Sequence, residues 1–196
     1  MVDLGCGNLG GFVPFLESGG YEAIGVDPKA PDSPGYHRVE FEQLELPERV
    51  DAVIASTSLH HVADPATVID RLERTLAKEG TLVVVEWAWE RFDEATAQWC
   101  FQRLGQDGEG WLHRLRDEWK TSGRPWPAVV AGWAKSDGVH RGEVLLQLLD
   151  GTFERRLLAF GPYFFADLDT TEDDEQAAID AGLIRATRIE WVGERR

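Results

Sequence analysis

A glycine turn set directly behind a short apolar strand constrains this chain more than any other feature. It reads Val2-Asp3-Leu4-Gly5-Cys6-Gly7-Asn8-Leu9-Gly10. An apolar run meets an acid and then the glycines, and a helix-like segment over 12–18 follows at once. Strand, tight turn and helix start in that order make the first unit of a nucleotide-binding α/β sheet. Gly5 and Gly7 allow positive φ and let a ligand approach the backbone, while free N–H groups at the helix start can hold an anion. The turn suits a small, polar, partly anionic ligand.

Two ligand classes satisfy this pattern. Gly5-x-Gly7-x-x-Gly10, with Asp27 ending the next strand, meets the dinucleotide fingerprint of nicotinamide and flavin enzymes. Asp27 is placed to accept from ribose hydroxyls in either class. Asp3 tilts the balance, because dinucleotide folds usually bury an apolar residue two positions before the first glycine, whereas a carboxylate there suits an ammonium group.

The rest of the chain supplies the remaining elements of such a sheet. Phe12, Phe15 and Leu16 fall at helical spacing before Gly19-Gly20, and 21–27 reads as a buried second strand. The breakers in 28–35 predict a loop in place of the second crossover helix. A third strand is expected at 37–41 and a fourth at 51–56, which places Ser56 and Thr57 at the ligand-facing end. Asp64 and Pro65 open a helix carrying Val68, Ile69, Leu72 and Leu76 on one face, stopped by Gly80. The fifth strand, 81–87, ends in Glu86-Trp87. Parallel strands put their carboxyl ends on one side, so Glu86 should open into the same cleft as Asp27 and Ser56.

Beyond residue 87 the pattern changes. Three helices are expected at 93–104, 111–119 and 142–150, separated by glycine and proline clusters near 105–110 and 122–127. Every tryptophan except Trp191 lies between Trp87 and Trp133. The stripe Trp111, Leu112, Leu115 and Trp119 reads more readily as core than as pocket, yet part of this insertion is expected to form an aromatic lid. A strand at 153–161, a capped helix at 171–181 and a strand at 184–192 close the chain.

Two segments carry a family resemblance. Asp3-Leu4-Gly5-Cys6-Gly7 resembles the first motif of class I S-adenosylmethionine-dependent methyltransferases. Ser58-Leu59-His60-His61-Val62-Ala63-Asp64-Pro65 resembles the link after the fourth strand in the small-molecule type 11 group. Glu42-Gln43-Leu44-Glu45-Leu46-Pro47 is similar to the segment that borders the adenine in these enzymes, departing from it at Glu42 and Gln43; the glycine turn departs at Leu9. The resemblance implies an α/β, Rossmann-like three-layer sandwich, with a mostly parallel seven-stranded sheet, an antiparallel last strand and a helical insertion after strand five. It implies S-adenosyl-L-methionine as cofactor, with Asp3 near its amino group and Gly5, Cys6 and Gly7 against its methionine part. Asp27 would take the ribose, Glu42 the adenine amino group and the Gln43 N–H a ring nitrogen, with Ser56 beside them. By location, His60, His61 and Glu86 are the candidate catalytic bases. No metal is expected, since the adjacent side chains of His60 and His61 point to different sides and nothing completes a ligand set.

Charge then limits the acceptor. Lys+Arg of 20 against Asp+Glu of 35 leaves −15, with a pI ≈ 4.7, and such a surface repels phosphate backbones. A small-molecule substrate is expected, and no nucleic acid or membrane partner; oligomeric state is left open. At 196 residues and 43% hydrophobic, the chain suits a single domain over 1–196, with the helical lid insertion at about 88–151. Cys6 and Cys100 fit no metal or redox spacing, so the cytoplasm is the expected compartment. An NAD(P)-dependent oxidoreductase, which predicts parallel strand closure, and a non-catalytic S-adenosylmethionine-binding module stay open beside the methyltransferase.

Overall fold

Strand β1 (Val2–Leu4) is buried at all three positions, the acid Asp3 included, and lies at the centre of the sheet. In this computed structural model, which describes residues 1–46, 48–106 and 108–196, β1 pairs in parallel with β2 (Ile24–Val26) and β4 (Val50–Ser56). Val2 stands opposite Ile24 on one side and Val53 on the other. With β3 (Tyr36–His37), β5 (Leu76–Trp87), β6 (Phe153–Gly161) and β7 (Arg188–Arg195), the seven-stranded order is β3-β2-β1-β4-β5-β7-β6. Pro47, the last residue of the adenine-like segment, lies outside the described residues.

The last strand runs against its neighbours. Ala88 N donates to Thr187 O at 2.8 Å and Thr187 N to Gly161 O at 3.2 Å, so the start of β7 meets the ends of β5 and β6. At the other end, Arg195 Nη1 donates to Leu76 O, where β5 begins, at 3.0 Å. This is the Rossmann-like sheet with an antiparallel last strand that the resemblance implies. Parallel closure, the expectation of the oxidoreductase reading, is not found.

Local differences from expectation have local causes. Helix α1 (Val13–Ser18) buries Val13 and Leu16, while Phe12 and Phe15 face solvent at 43% and 75% exposure. The third strand is only two residues long, because Phe41 turns into the core in a 3-10 turn (Phe41–Gln43) closed by Gln43 N on Glu40 O. Helix α2 (Pro65–Thr75) starts where expected, with Asp64 Oδ1 accepting from Ala66 N and Thr67 N. It stops five residues before Gly80, because Leu76 already belongs to β5, and Glu79, at φ 64, absorbs the irregularity between the Val50 and Ala52 pairings.

The middle of the chain holds α3 (Glu94–Arg103), α4 (Trp111–Ser122), α5 (Trp126–Ser136) and α6 (Gly142–Thr152). Helix α5 is the element that reading 122–127 as a breaker cluster misses. Pro125 caps it and Pro127 sits in its first turn, where a missing N–H costs nothing. Near the end, α7 (Glu172–Asp180) carries the expected capping box between Thr171 and Asp174. The final strand starts four residues later than expected, since Ile184 packs into a core outside the sheet.

The chain divides into two compact units. One comprises Met1–Glu86, Glu143–Ala159 and Glu190–Arg196; the other comprises Trp87–Gly142 and Phe160–Ile189. The second has its own core, in which Trp126 and Phe164 are fully buried around Phe92 and Trp126 Nε1 donates to Phe92 O at 2.6 Å. Trp87, Trp111, Trp133 and Tyr163 join the same aromatic cluster. Leu112 and Leu115 of the expected stripe are buried in it, with Trp111 and Trp119 packed alongside. Among the described residues, no helix is long and apolar enough to cross a membrane.

Candidate active site

The glycine turn connects β1 to α1 through a backbone that only glycine tolerates at its first step. Gly5 has φ +79, and a Cβ there would lie 2.3 Å from Ser58 Cβ. Gly5 N donates to Val26 O at 2.8 Å, which locks the turn to the end of β2. Asp27 extends that lock: Oδ2 accepts from Gly7 N at 3.2 Å and Oδ1 from Lys29 N at 2.6 Å. Asp3 works beneath the turn. It is 1% exposed, and Oδ2 accepts from Phe12 N at 2.6 Å, satisfying a free donor at the start of α1 from nine residues away. Burial pushes its carboxyl above the usual value, against the opposing effect of the Phe12 bond. Burial likewise raises the Cys6 thiol to about 11, so it stays protonated and packs.

A cavity of ≈ 450 Å³ opens above this turn, within the size range of small-molecule sites. Gly5, Asp27 and Glu42, all expected at the site, line it, as does His61. Thr57, expected beside Ser56, and Ser58 and Val62 of the family-like segment also line it, as do Lys29 and Glu40, which were not singled out from the sequence. Asp3, Cys6, Gly7, Gln43 and Ser56 are not on its wall. Thr57 is a β-branched residue at φ 49, held there by its N–H on Val85 O at 2.7 Å. Such strain clusters at ligand-binding positions.

Behind the wall lies a buried acid. Glu86, at the end of β5, is 0% exposed, and Oε1 accepts from Ser58 N at 2.8 Å and from Leu59 N at 2.6 Å. Its Oε2 bonds His60 Nδ1. His60 is itself 4% exposed, and its ring lies 4.1 Å from that of His61. The three candidate bases therefore form one cluster: His61 on the cavity wall, His60 behind it and Glu86 at its base. Among the described residues, no group of His, Cys, Asp and Glu could hold a metal ion.

The donor set fits an adenosyl group. Carboxylates at the end of β2 and in the 3-10 turn after β3 offer acceptors for ribose hydroxyls and an exocyclic amine, and Gly7, with open space where a Cβ would stand, leaves its backbone approachable. Sheet order, antiparallel β7 and this turn together define a class I methyltransferase fold. The family model of the methyltransferase domain matches residues 1–127, and the chain belongs to that family. It is an enzyme of the S-adenosylmethionine-dependent methyltransferase class, with S-adenosylmethionine as cofactor.

Solved structures share the fold at low identity. An S-adenosylmethionine-dependent methyltransferase from Mesorhizobium loti is 19% identical, with a TM-score of 0.56 over 99% of this chain and 89% of that one. The N-methyltransferase NodS from Bradyrhizobium japonicum WM9, in complex with S-adenosyl-L-homocysteine, is 12% identical, with a TM-score of 0.54 over 99% and 76%. Geranyl diphosphate C-methyltransferase from Streptomyces coelicolor A3(2) is 13% identical, with a TM-score of 0.53 over 100% and 70%. No curated protein sequence matches the chain.

Proposed function

We propose that the protein transfers the methyl group of S-adenosylmethionine to a small-molecule acceptor. The observation that carries this reading is the acid-lined cavity over the glycine turn, bounded by Gly5, Asp27 and Glu42. In it Asp27 takes the ribose hydroxyls and Glu42 the adenine amino group; the Gln43 N–H, expected for a ring nitrogen, is instead donated to Glu40 O, and Ser56 lies off the wall. Gly5, Cys6 and Gly7 back the methionine part, and Asp3 supports its ammonium group from beneath the turn. When bound, the cofactor supplies an already activated methyl group, so the chain's own task is to orient the acceptor and exclude water. Positioning of that kind contributes up to roughly 7–11 kcal/mol. The −15 net charge supports a small molecule over a nucleic acid. The free, buried thiols of Cys6 and Cys100 suit the reducing cytoplasm.

Isothermal titration with S-adenosylhomocysteine and, in parallel, NADH tests the reading. Saturable binding of the first alone is expected. Asp27→Ala removes a charged hydrogen-bond acceptor worth about 1.5–3 kcal/mol, roughly a tenfold to hundredfold loss of affinity. Binding of NADH alone would overturn the assignment.

A further inference from the structure

We propose that two copies of the chain associate through the face of the sheet that carries α1, with α1 of each copy laid over β4, β5 and β7 of the other.

The two faces of the sheet are unequally covered. On one, Val53 and Ala55 of β4, Leu82 and Val84 of β5 and Trp191 of β7 are at most 1% exposed. The residues that alternate with them point the other way, and there Ile54, Val83, Val85 and Val192 all keep part of their surface in solvent. Ile54 stands opposite Asp3 on one side and Val83 on the other. Counting back from the bond between Ala88 N and Thr187 O sets Val83 opposite Val192. This is the face of α1, because Asp3 bonds Phe12 N and Ile54 packs against the group formed by Val13 and Leu16. Among the described residues, that group reaches no strand beyond β4. A face built for water would carry polar residues at these positions, and parallel strands are normally covered on both sides.

The open face forms an apolar trough with two unlike rims. One rim is α1, whose Val13 and Leu16 turn to the sheet. Glu17 lies on the β3 flank of the helix, where burial first, and then Cys6 and Glu17, push the Tyr36 phenol above its usual value. Phe12 and Phe15, at 43% and 75% exposure, lie round the helix from Glu17, on the flank toward β4. The other rim is β6. The bond between Thr187 N and Gly161 O sets Arg156 opposite Val192, and Arg156 also bonds Glu154 and Glu194.

A second copy is the occupant these features match. One molecule carries an apolar ridge, an apolar trough beside it, an acid on the far flank of the ridge and an arginine on the far rim of the trough. That is both halves of an isologous contact. A two-fold axis parallel to the strands sets the Phe15 flanks of the two helices against each other. It also seats each helix on the partner's Val83 and Val192 and turns Glu17 toward the partner's Arg156. The two α1 helices then form one layer between two sheets. A nucleic acid or an anionic membrane would instead meet Glu154 and Glu194 on the β6 rim of a chain with net charge −15.

Sedimentation velocity of the full chain over a concentration series tests the contact. A species of twice the 22.0 kDa monomer is expected to grow with concentration. Phe15→Glu should weaken it at least about thirtyfold, because an aromatic anchor is lost from both copies. Glu17→Arg and Arg156→Glu should each weaken it roughly two- to thirtyfold, and the two together should recover much of the loss. All three side chains are exposed, so circular dichroism should show an unchanged fold. A chain that stays monomeric at every concentration overturns the proposal. So does a dimer indifferent to Phe15→Glu, which would be joined through another surface. A double charge variant no better than either single one overturns the arrangement of α1 against the partner's β6 rim.

Discussion

Asp3 is a carboxylate taken out of water with a strong donor, the Phe12 N–H at 2.6 Å, and with its carboxyl raised first by burial. A carboxyl raised in the folded state holds its proton to higher pH there than in the unfolded chain. Its contribution is therefore fully present below the unfolded value, near 3.8, and is lost as pH rises through the folded one. Asp3→Asn keeps an acceptor for Phe12 and removes the charge. In urea denaturation, the stability of this variant relative to wild type should grow from pH 3 to pH 7, and a flat difference would remove burial of the charge as the cause. Gly5 permits a complementary test at the same turn. Gly5→Ala places a Cβ 2.3 Å from Ser58 at φ +79, so it should cost at least about 1–3 kcal/mol in the same assay and abolish cofactor binding. Sequence marked both positions, because an acid before a glycine turn is a local pattern. It could not reveal that Asp3 bonds Phe12, nor that Glu86, His60 and His61 meet, since these contacts depend on how separate strands and loops are brought together.

Among the elements, those with strong local signals were the legible ones: α2 behind its Asp64-Pro65 start, β6 and the Thr171 capping box all stand where their residues predict. Helix α5 was hidden because proline reads as a breaker until its position in the first turn is known, and β7 was displaced because Ile184 is apolar for a core outside the sheet. One element is held by a residue that local pattern does not mark. Glu175 of α7 is 0% exposed, and its two oxygens accept from Tyr163 N at 2.8 Å, Phe164 N at 2.9 Å and Phe165 N at 2.8 Å. The carboxylate thus serves a whole turn of main-chain donors. Glu175→Gln turns one acceptor into a donor facing an N–H, so a loss of about 1.5–3 kcal/mol is expected in chemical denaturation. Asp64→Ala, which removes an N-cap, should cost only about 0.5–2 kcal/mol. If the cap variant proved the more damaging of the two, the buried clamp would not be what orders 163–165.

At the scale of the molecule, the parallel part of the sheet was legible from buried apolar runs that end in polar residues. The direction of β7 rested on family resemblance, because no residue pattern encodes strand direction. The division into two units was not legible, since apolar segments do not announce which core they join. The cavity wall, however, draws only on residues between Leu4 and Val62, all in the unit that begins at Met1. A ligand that binds the folded cavity and not the unfolded chain must stabilise the unit that carries it, by an amount fixed by concentration and affinity alone. S-adenosylhomocysteine at one hundred times its Kd should add about 2.7 kcal/mol. For a chain of this size that is an upward shift of roughly 5–11 °C in the melting transition that includes residues 1–86. Amide exchange should slow over the lining segments near Gly5, Asp27, Glu42 and Ser58. NADH at the same concentration should leave both quantities unchanged, because the binding free energy, and not mere occupancy of solution by a nucleotide, sets the shift. A thermal shift without slowed exchange at these segments would place the ligand elsewhere on the protein and detach the acid-lined cavity from the cofactor.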